Sequence, residues 1–117
     1  MTPLGLRLRR LRATSGVTLA EMAAALGVSA AYLSALEHGK RGVPRAVLLE
    51  MINGYFNLGW DEAEELRRLA AISDPRVVLD TGGLSPKATE LANRLAARIG
   101  ELDDSRLDTL LAELEEP

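Results

Sequence analysis

Residues 18–38 read TLAEMAAALGVSAAYLSALEH. This stretch predicts two short helices joined by a sharp turn at Gly27. Ala23 stands four residues before that glycine, and Leu33 and Leu36 stand six and nine after it. A small side chain at Ala23 lets the second helix approach the first closely. Glycine adopts the left-handed backbone that ends a helix without the penalty of a Cβ. Leu33 and Leu36 anchor the second helix from one side and leave its other side free. Several independent positions therefore agree on a helix-turn-helix arrangement, the geometry that presents a second helix to the DNA major groove.

The flanking residues extend the helical pattern in both directions. Thr18 with Glu21 forms a capping box that opens the first helix of the pair, and Ser29 caps the second, which runs to about His38. Upstream, Leu4, Leu8 and Leu11 fall on one face of a helix from about Pro3 to Thr14. Arg7, Arg9, Arg10 and Arg12 surround that face, and Ser15-Gly16 ends it. Downstream, Gly39–Pro44 is a loop. A fourth helix follows from about Arg45 to Phe56, with Val47, Leu48, Met51, Ile52 and Tyr55 at core spacing. After the turn Asn57-Leu58-Gly59, Asp61 and Glu64 suggest a second capping box. It would open a fifth helix to about Ala71, with Ala63, Leu66, Leu69 and Ala70 inward. Trp60, Tyr55 and Phe56 are expected in the core, although Trp60 has the chemistry to anchor a partner.

Composition narrows the class. The chain has 117 residues, enough for one small domain with an appendage. It is 47% hydrophobic but only 3% aromatic, a balance that suits an all-α protein with a Leu/Ala core. There is no cysteine, which excludes disulfides and thiolate metal sites and fits a cytoplasmic setting. No apolar run approaches the roughly 18–20 residues that span a bilayer, and MTPLGLRLRRLR lacks the apolar core of a secretory signal. No membrane partner is expected. The net charge of −3 hides a division: residues 1–60 carry +4 and residues 61–117 carry −7. Such a split suggests a part that faces nucleic acid and a part that faces away from it; ordinary solvated helix surface is the alternative.

Three segments follow: a headpiece over residues 1–72, a linker or short strand over 73–85, and a helical region over 86–117. Ser73-Asp74-Pro75 stops the fifth helix. Arg76–Asp80 is β-branched and apolar, fit for a short strand or an extended linker, and Gly82-Gly83 loosens the chain. Ser85-Pro86 caps a sixth helix with Leu84, Ala88, Leu91, Leu95 and Ile99 as its apolar stripe, ending at Gly100. Asp103 or Asp104 starts a last helix with Leu107, Leu110, Leu111 and Leu114 on one face. Two short helices cannot bury both stripes alone. The headpiece, a second copy of the chain, or another protein would have to cover them. Self-association through Leu91, Leu95, Ile99, Leu107, Leu110, Leu111 and Leu114 is the expectation, because a two-fold dimer matches a palindromic DNA site.

The segment LRRLRATSGVTLAEMAAALGVSAAYLSALEHGKRGVPRAVLLEMI resembles the Xre/Cro-repressor helix-turn-helix family of bacterial and phage regulators. The shared features are the LRxLR first helix, TLxEMA, LGVS, YLSxLExGKR, then a proline and a closing helix, over about residues 4–56. The fifth helix and the tail from Ser73 depart from the minimal family domain. The resemblance implies a five-helix, lambda-repressor-like headpiece that binds double-stranded DNA in the cytoplasm of a bacterium, whether bacterial or phage-encoded. It implies base-facing roles for Ser29, Ala30, Ala31, Ser34, Ala35 and His38. It implies phosphate contacts for Tyr32, Lys40, Arg41 and the helix start near Thr18.

The chemistry of these residues is modest. Base reading in the major groove rests chiefly on arginine to guanine and on Gln or Asn to adenine, and the third helix has none of them. Serine donates to or accepts from almost any base, and alanine only packs on sugar or thymine methyls. Loose base readout is expected, with more specificity from DNA shape and half-site spacing. Tyr32 has a bland alternative as a cover over the turn, and Arg9, Arg10 and Arg12 as solvated helix face. Glu37 is expected to orient an arginine or pair within the protein. His38 has no second ligand at helical spacing, so no metal and no cofactor are expected. Nothing points to an enzyme: there is no cysteine, one histidine, and no glycine-rich phosphate loop. A dimeric repressor is the first expectation. An antitoxin that binds a toxin through its tail, or an adaptor for polymerase or another regulator, is the alternative.

Overall fold

The computed structural model describes residues 1–115, and all regular structure among them is helical. In chain order the helices are α1 (Pro3–Ser15), α2 (Leu19–Leu26), α3 (Ala30–His38), α4 (Ala46–Tyr55), α5 (Trp60–Ala71), α6 (Pro86–Arg98) and α7 (Asp104–Glu113). A single 3₁₀ turn, Ile99–Glu101, lies between the last two. The chain divides into two compact units, Met1–Val77 and the part from Val78 onward. The first unit is a five-helix helix-turn-helix headpiece; the second is a two-helix tail. Among the described residues no single helix is long and apolar enough to cross a membrane.

Local chemistry sets the helix ends of the headpiece. Thr2 caps α1, its hydroxyl accepting from the Gly5 N–H at 2.9 Å, with Pro3 in the first turn, where its missing N–H costs nothing. Thr18 and Glu21 form the complete capping box: Oγ1 accepts from the Glu21 N–H and Oε1 from the Thr18 N–H. Gly27 ends α2 at φ +71°. Its neighbour Val28 donates its N–H back to the Ala23 carbonyl at 3.0 Å, which satisfies a carbonyl the helix leaves open.

The core draws on all five helices. Leu4, Leu8 and Leu11 of α1 meet Met22, Ala23 and Leu26 of α2, Leu33 and Leu36 of α3, Leu48, Leu49 and Ile52 of α4, and Leu66 and Ala70 of α5. Each fully buried leucine contributes about 1.5–3 kcal/mol of transfer free energy. Tyr55, Phe56, Leu58 and Leu69 pack around this cluster half-buried. The five residues 73–77 go with the headpiece. Ser73 is buried, and its hydroxyl accepts from the Leu4 N–H at 2.9 Å and donates to the Leu69 carbonyl. One side chain thus ties the start of α1 to the end of α5.

Several expectations for α4 and α5 are corrected. Val47 and Met51 are exposed, and Leu49 takes an inward place instead. The stripe that faces the core is Leu48, Leu49 and Ile52, one step around the helix from the Val47–Met51 row. Trp60 is 81% exposed rather than in the core. It is the first residue of α5, six positions before Leu66, which places it about 120° around the helix from the inward Leu66–Ala70 row. The Asp61–Glu64 capping box does not form, because the helix begins two residues earlier than that box requires, with Gly59 at the cap. Asp61 and Glu62 instead lie in the first turn, where the helix dipole favours negative charge.

In the tail, Ser85 caps α6 and Asp103 caps α7. The sixth helix stops at Arg98, and Gly100 falls within the 3₁₀ turn rather than ending the helix. Residues 76–80 form no strand. No residue of α6 or α7 is buried. Leu91, Ile99, Leu110, Leu111 and Leu114 are exposed, and Leu95 and Leu107 are half-buried.

One close approach sets how α1 and α3 pack. Gly5 is buried in α1, and a Cβ built on it would lie 2.0 Å from the Glu37 carbonyl oxygen of α3. Backbone cannot yield that far without parting the helices. Gly5→Ala is expected to destabilise the headpiece by about 3 kcal/mol, the upper range of overpacking, read as a lower urea midpoint of the helical circular dichroism signal.

Candidate nucleic-acid interface

The axes of α2 and α3 meet at 110°, within the usual range for helix-turn-helix pairs. Leu33, Leu36 and Glu37 hold the inner side of α3, each with no more than 3% exposure. With that side fixed, helical geometry turns Ala31, Ser34, Ala35 and His38 outward. Ser29, Ala30, Ala31 and His38 are exposed, and Ser34 and Ala35 are half-buried. The six residues expected to face bases therefore lie together along α3 and its cap.

Their polar groups are partly engaged. The Ser29 hydroxyl accepts from the Tyr32 N–H at 3.0 Å, as a cap does, which leaves its own O–H to donate outward. The Thr18 hydroxyl is placed in the same way at the start of α2. His38 Nδ1 lies 2.8 Å from the Ser34 carbonyl oxygen, so the ring donates there and presents Nε2 to solvent. Tyr32 is half-buried against the core, which is the covering role, and it also organises a cation. The Arg41 guanidinium carbon lies 5.8 Å from its ring centroid, within cation–π range. Lys40 and Arg41 are exposed in the loop after α3.

The pairing of charges sharpens this picture. In the headpiece Arg7 pairs with Glu62, Arg12 with Glu37, Arg67 with Glu64 and Arg68 with Glu65. Among the described residues Arg9, Arg10, Lys40, Arg41 and Arg45 make no ion pair within the chain. The paired cations are neutralised within the headpiece, and the Lys40–Arg41 loop keeps its charge available. No group of His, Asp or Glu among the described residues is placed to hold a metal.

Glu37 pairs within the protein, as expected, and its partner is Arg12. Arg12 Nε donates to Oε2 at 3.0 Å and Nη2 to Oε1 at 2.9 Å, the parallel two-point geometry that gives such pairs their strength. The sequence places Arg12 among several arginines on one helix, and only the packing of α1 on α3 selects it. Glu37 also accepts from the Thr2 N–H through its carbonyl at 3.3 Å. The residue that fixes the roll of α3 thus lies between the buried Leu36 and the outward His38.

These features define a helix-turn-helix domain with a free outer helix face. The model of the helix-turn-helix domain family matches residues 3–66, and the chain belongs to that family. It is also 36% identical over 52 residues to the Uncharacterized HTH-type transcriptional regulator RghRB of Bacillus subtilis (strain 168). That match covers 44% of this chain and 37% of the relative's length. No solved structure matches the chain.

Removing Arg12 alone would strand the Glu37 carboxylate, only 3% exposed, without its partner. Arg12→Leu is expected to cost about 3–4 kcal/mol, whereas Arg12→Leu with Glu37→Leu recovers much of that loss because no buried charge remains. Urea denaturation of the three proteins as a double-mutant cycle measures the coupling.

Proposed function

We propose that this chain is a DNA-binding transcriptional regulator that lays α3 in the major groove of a duplex and acts as a dimeric repressor by occupying a promoter. The membership in the helix-turn-helix family and the regulator among its relatives support a DNA-binding regulator. The observation that carries the reading is the coincidence of an uncommitted α3 face with an unpaired Lys40–Arg41 loop at its end. Ser29, Ala30, Ala31, Ser34, Ala35 and His38 face the bases. Thr18, Tyr32, Lys40 and Arg41 hold phosphates, Tyr32 partly through the arginine it supports.

Small side chains on α3 put most of the affinity on phosphate contacts, and binding falls steeply with salt. Selection of bound sites from a random duplex library by the full-length protein is expected to return an inverted repeat. Lys40→Ala with Arg41→Ala is expected to weaken binding to all sequences alike. It flattens the dependence of log K on log salt by about 0.9 per lost contact. Salt-independent binding, or no enrichment at all, overturns the reading.

The tail supplies the second half of the proposal. Leu91, Leu95, Ile99, Leu107, Leu110, Leu111 and Leu114 form the dimer contact, supported by the exposure of five of them. An apolar face of this kind is covered in most proteins, and a two-fold pair of headpieces matches an inverted repeat. Because Leu91 and Leu111 are exposed, Leu91→Lys with Leu111→Lys leaves the single chain's fold intact. It is expected to convert a dimer to a monomer in sedimentation equilibrium. A wild-type protein that stays monomeric both alone and with DNA present shifts the tail to a protein partner such as a toxin or polymerase.

A further inference from the structure

We infer that Arg76, beyond α5, is a third phosphate-binding cation that works with the Lys40–Arg41 loop; this rests on the DNA-binding reading above. Gly39, Lys40, Arg41 and Gly42 line one side of an open cleft of about 520 Å³, and Asp74, Pro75 and Arg76 line the other. The two segments are distant in sequence but meet for identifiable reasons. Buried Ser73 fastens the chain to the start of α1 and the end of α5. Pro75 then packs on Gly39: a Cβ built on that glycine would lie 3.8 Å from the Pro75 Cβ and 2.9 Å from the Thr2 Cγ2. Asp74 Oδ1 accepts from the Arg76 N–H at 3.0 Å, an Asx turn that holds the next residue in place.

The charges in this cleft favour an anion. Lys40, Arg41 and Arg76 are exposed and make no ion pair among the described residues. Asp74 is the one acid in the lining among the described residues, and one of its oxygens is taken by the backbone of Arg76. Three cations against one carboxylate leave a net positive concavity directly after the C-terminus of α3. A phosphodiester of the duplex whose groove α3 occupies is the anion this position reaches. An arginine there donates two parallel hydrogen bonds to phosphate oxygens. Arg76 lies outside the segment matched by the family, residues 3–66, so the contact belongs to this chain's own extension.

The test is fluorescence anisotropy of the full-length protein on a mixed-sequence duplex a few helical turns long, over a salt series. Arg76→Gln is expected to weaken binding about fivefold and to lower the slope of log K against log salt by about 0.9, the signature of one lost phosphate contact. Arg76→Lys is expected to restore most of the affinity, since phosphate also accepts a point charge. Among the described residues the Arg76 side chain makes no hydrogen bond, so the unfolding midpoint should not move. Arg106→Gln, in the tail, removes the same charge elsewhere and is expected to leave binding unchanged. An equal loss in Arg106→Gln reduces the effect to net charge and overturns the assignment. Wild-type binding by Arg76→Gln, with Lys40→Ala and Arg41→Ala still weakened, overturns the role of Arg76 and leaves the DNA-binding reading standing. Failure of the wild-type protein to bind any duplex overturns both.

Discussion

The headpiece depends on a clasp at Glu37. Its carboxylate takes two hydrogen bonds from Arg12, its carbonyl takes one from Thr2, and its backbone lies against Gly5. All three partners are on or at the start of α1, so α3 is fixed in position and in roll by a helix that is not its neighbour in sequence. Leucines alone would not do this. Leu33 and Leu36 supply burial, which is non-directional, whereas a two-point ion pair and a backbone in contact allow one orientation. A buried charge pair contributes little net stability, and its best use is to specify geometry. Here it specifies which side of α3 is left facing outward.

Much of the headpiece was legible from local chemistry. Gly27, Ala23, the Thr18–Glu21 box and the Ser29 cap act over a few residues, so their sequence spacing is their geometry. The phase of α4 was not. Val47, Leu48, Leu49, Met51 and Ile52 offer two adjacent apolar rows, and only the neighbouring helices decide which row turns inward. Trp60 misleads for a related reason: hydrophobic bulk suggests burial, but α5 begins two residues before the expected start and takes Trp60 into the helix, where its spacing from Leu66 turns it away from the Leu66–Ala70 row. Gly5, Arg12 and Ser73 act across long separations and gave no local signal. Gly5 lies in the first turn of α1, and its lack of a side chain takes on meaning only with the close approach of Glu37.

The division of charge was visible in composition, but its meaning emerges only from pairing. On α5, Glu64 and Glu65 neutralise Arg67 and Arg68 on the same helix. Exposed pairs of this kind add little stability, yet they remove both charges from any wider field. Of the cations that remain, Lys40, Arg41 and Arg76 share the cleft after α3. A protein with net negative charge can therefore present a locally cationic surface, because its electrostatics near contact depend on unpaired groups rather than on the total.

The outward side of α3 is built from alanine, serine and one histidine, none of which the core requires. Exposed Ala30, Ala31 and His38 are free of packing duties, and the clasp on the opposite side does not involve them. In the proposed DNA-binding reading, recognition and folding thus rest on separate residue sets within a helix of nine. On that proposal, a lineage carrying this headpiece can alter which sequences it favours by single changes on that side while its stability stays nearly constant. Duplicated copies can diverge in target before they diverge in fold.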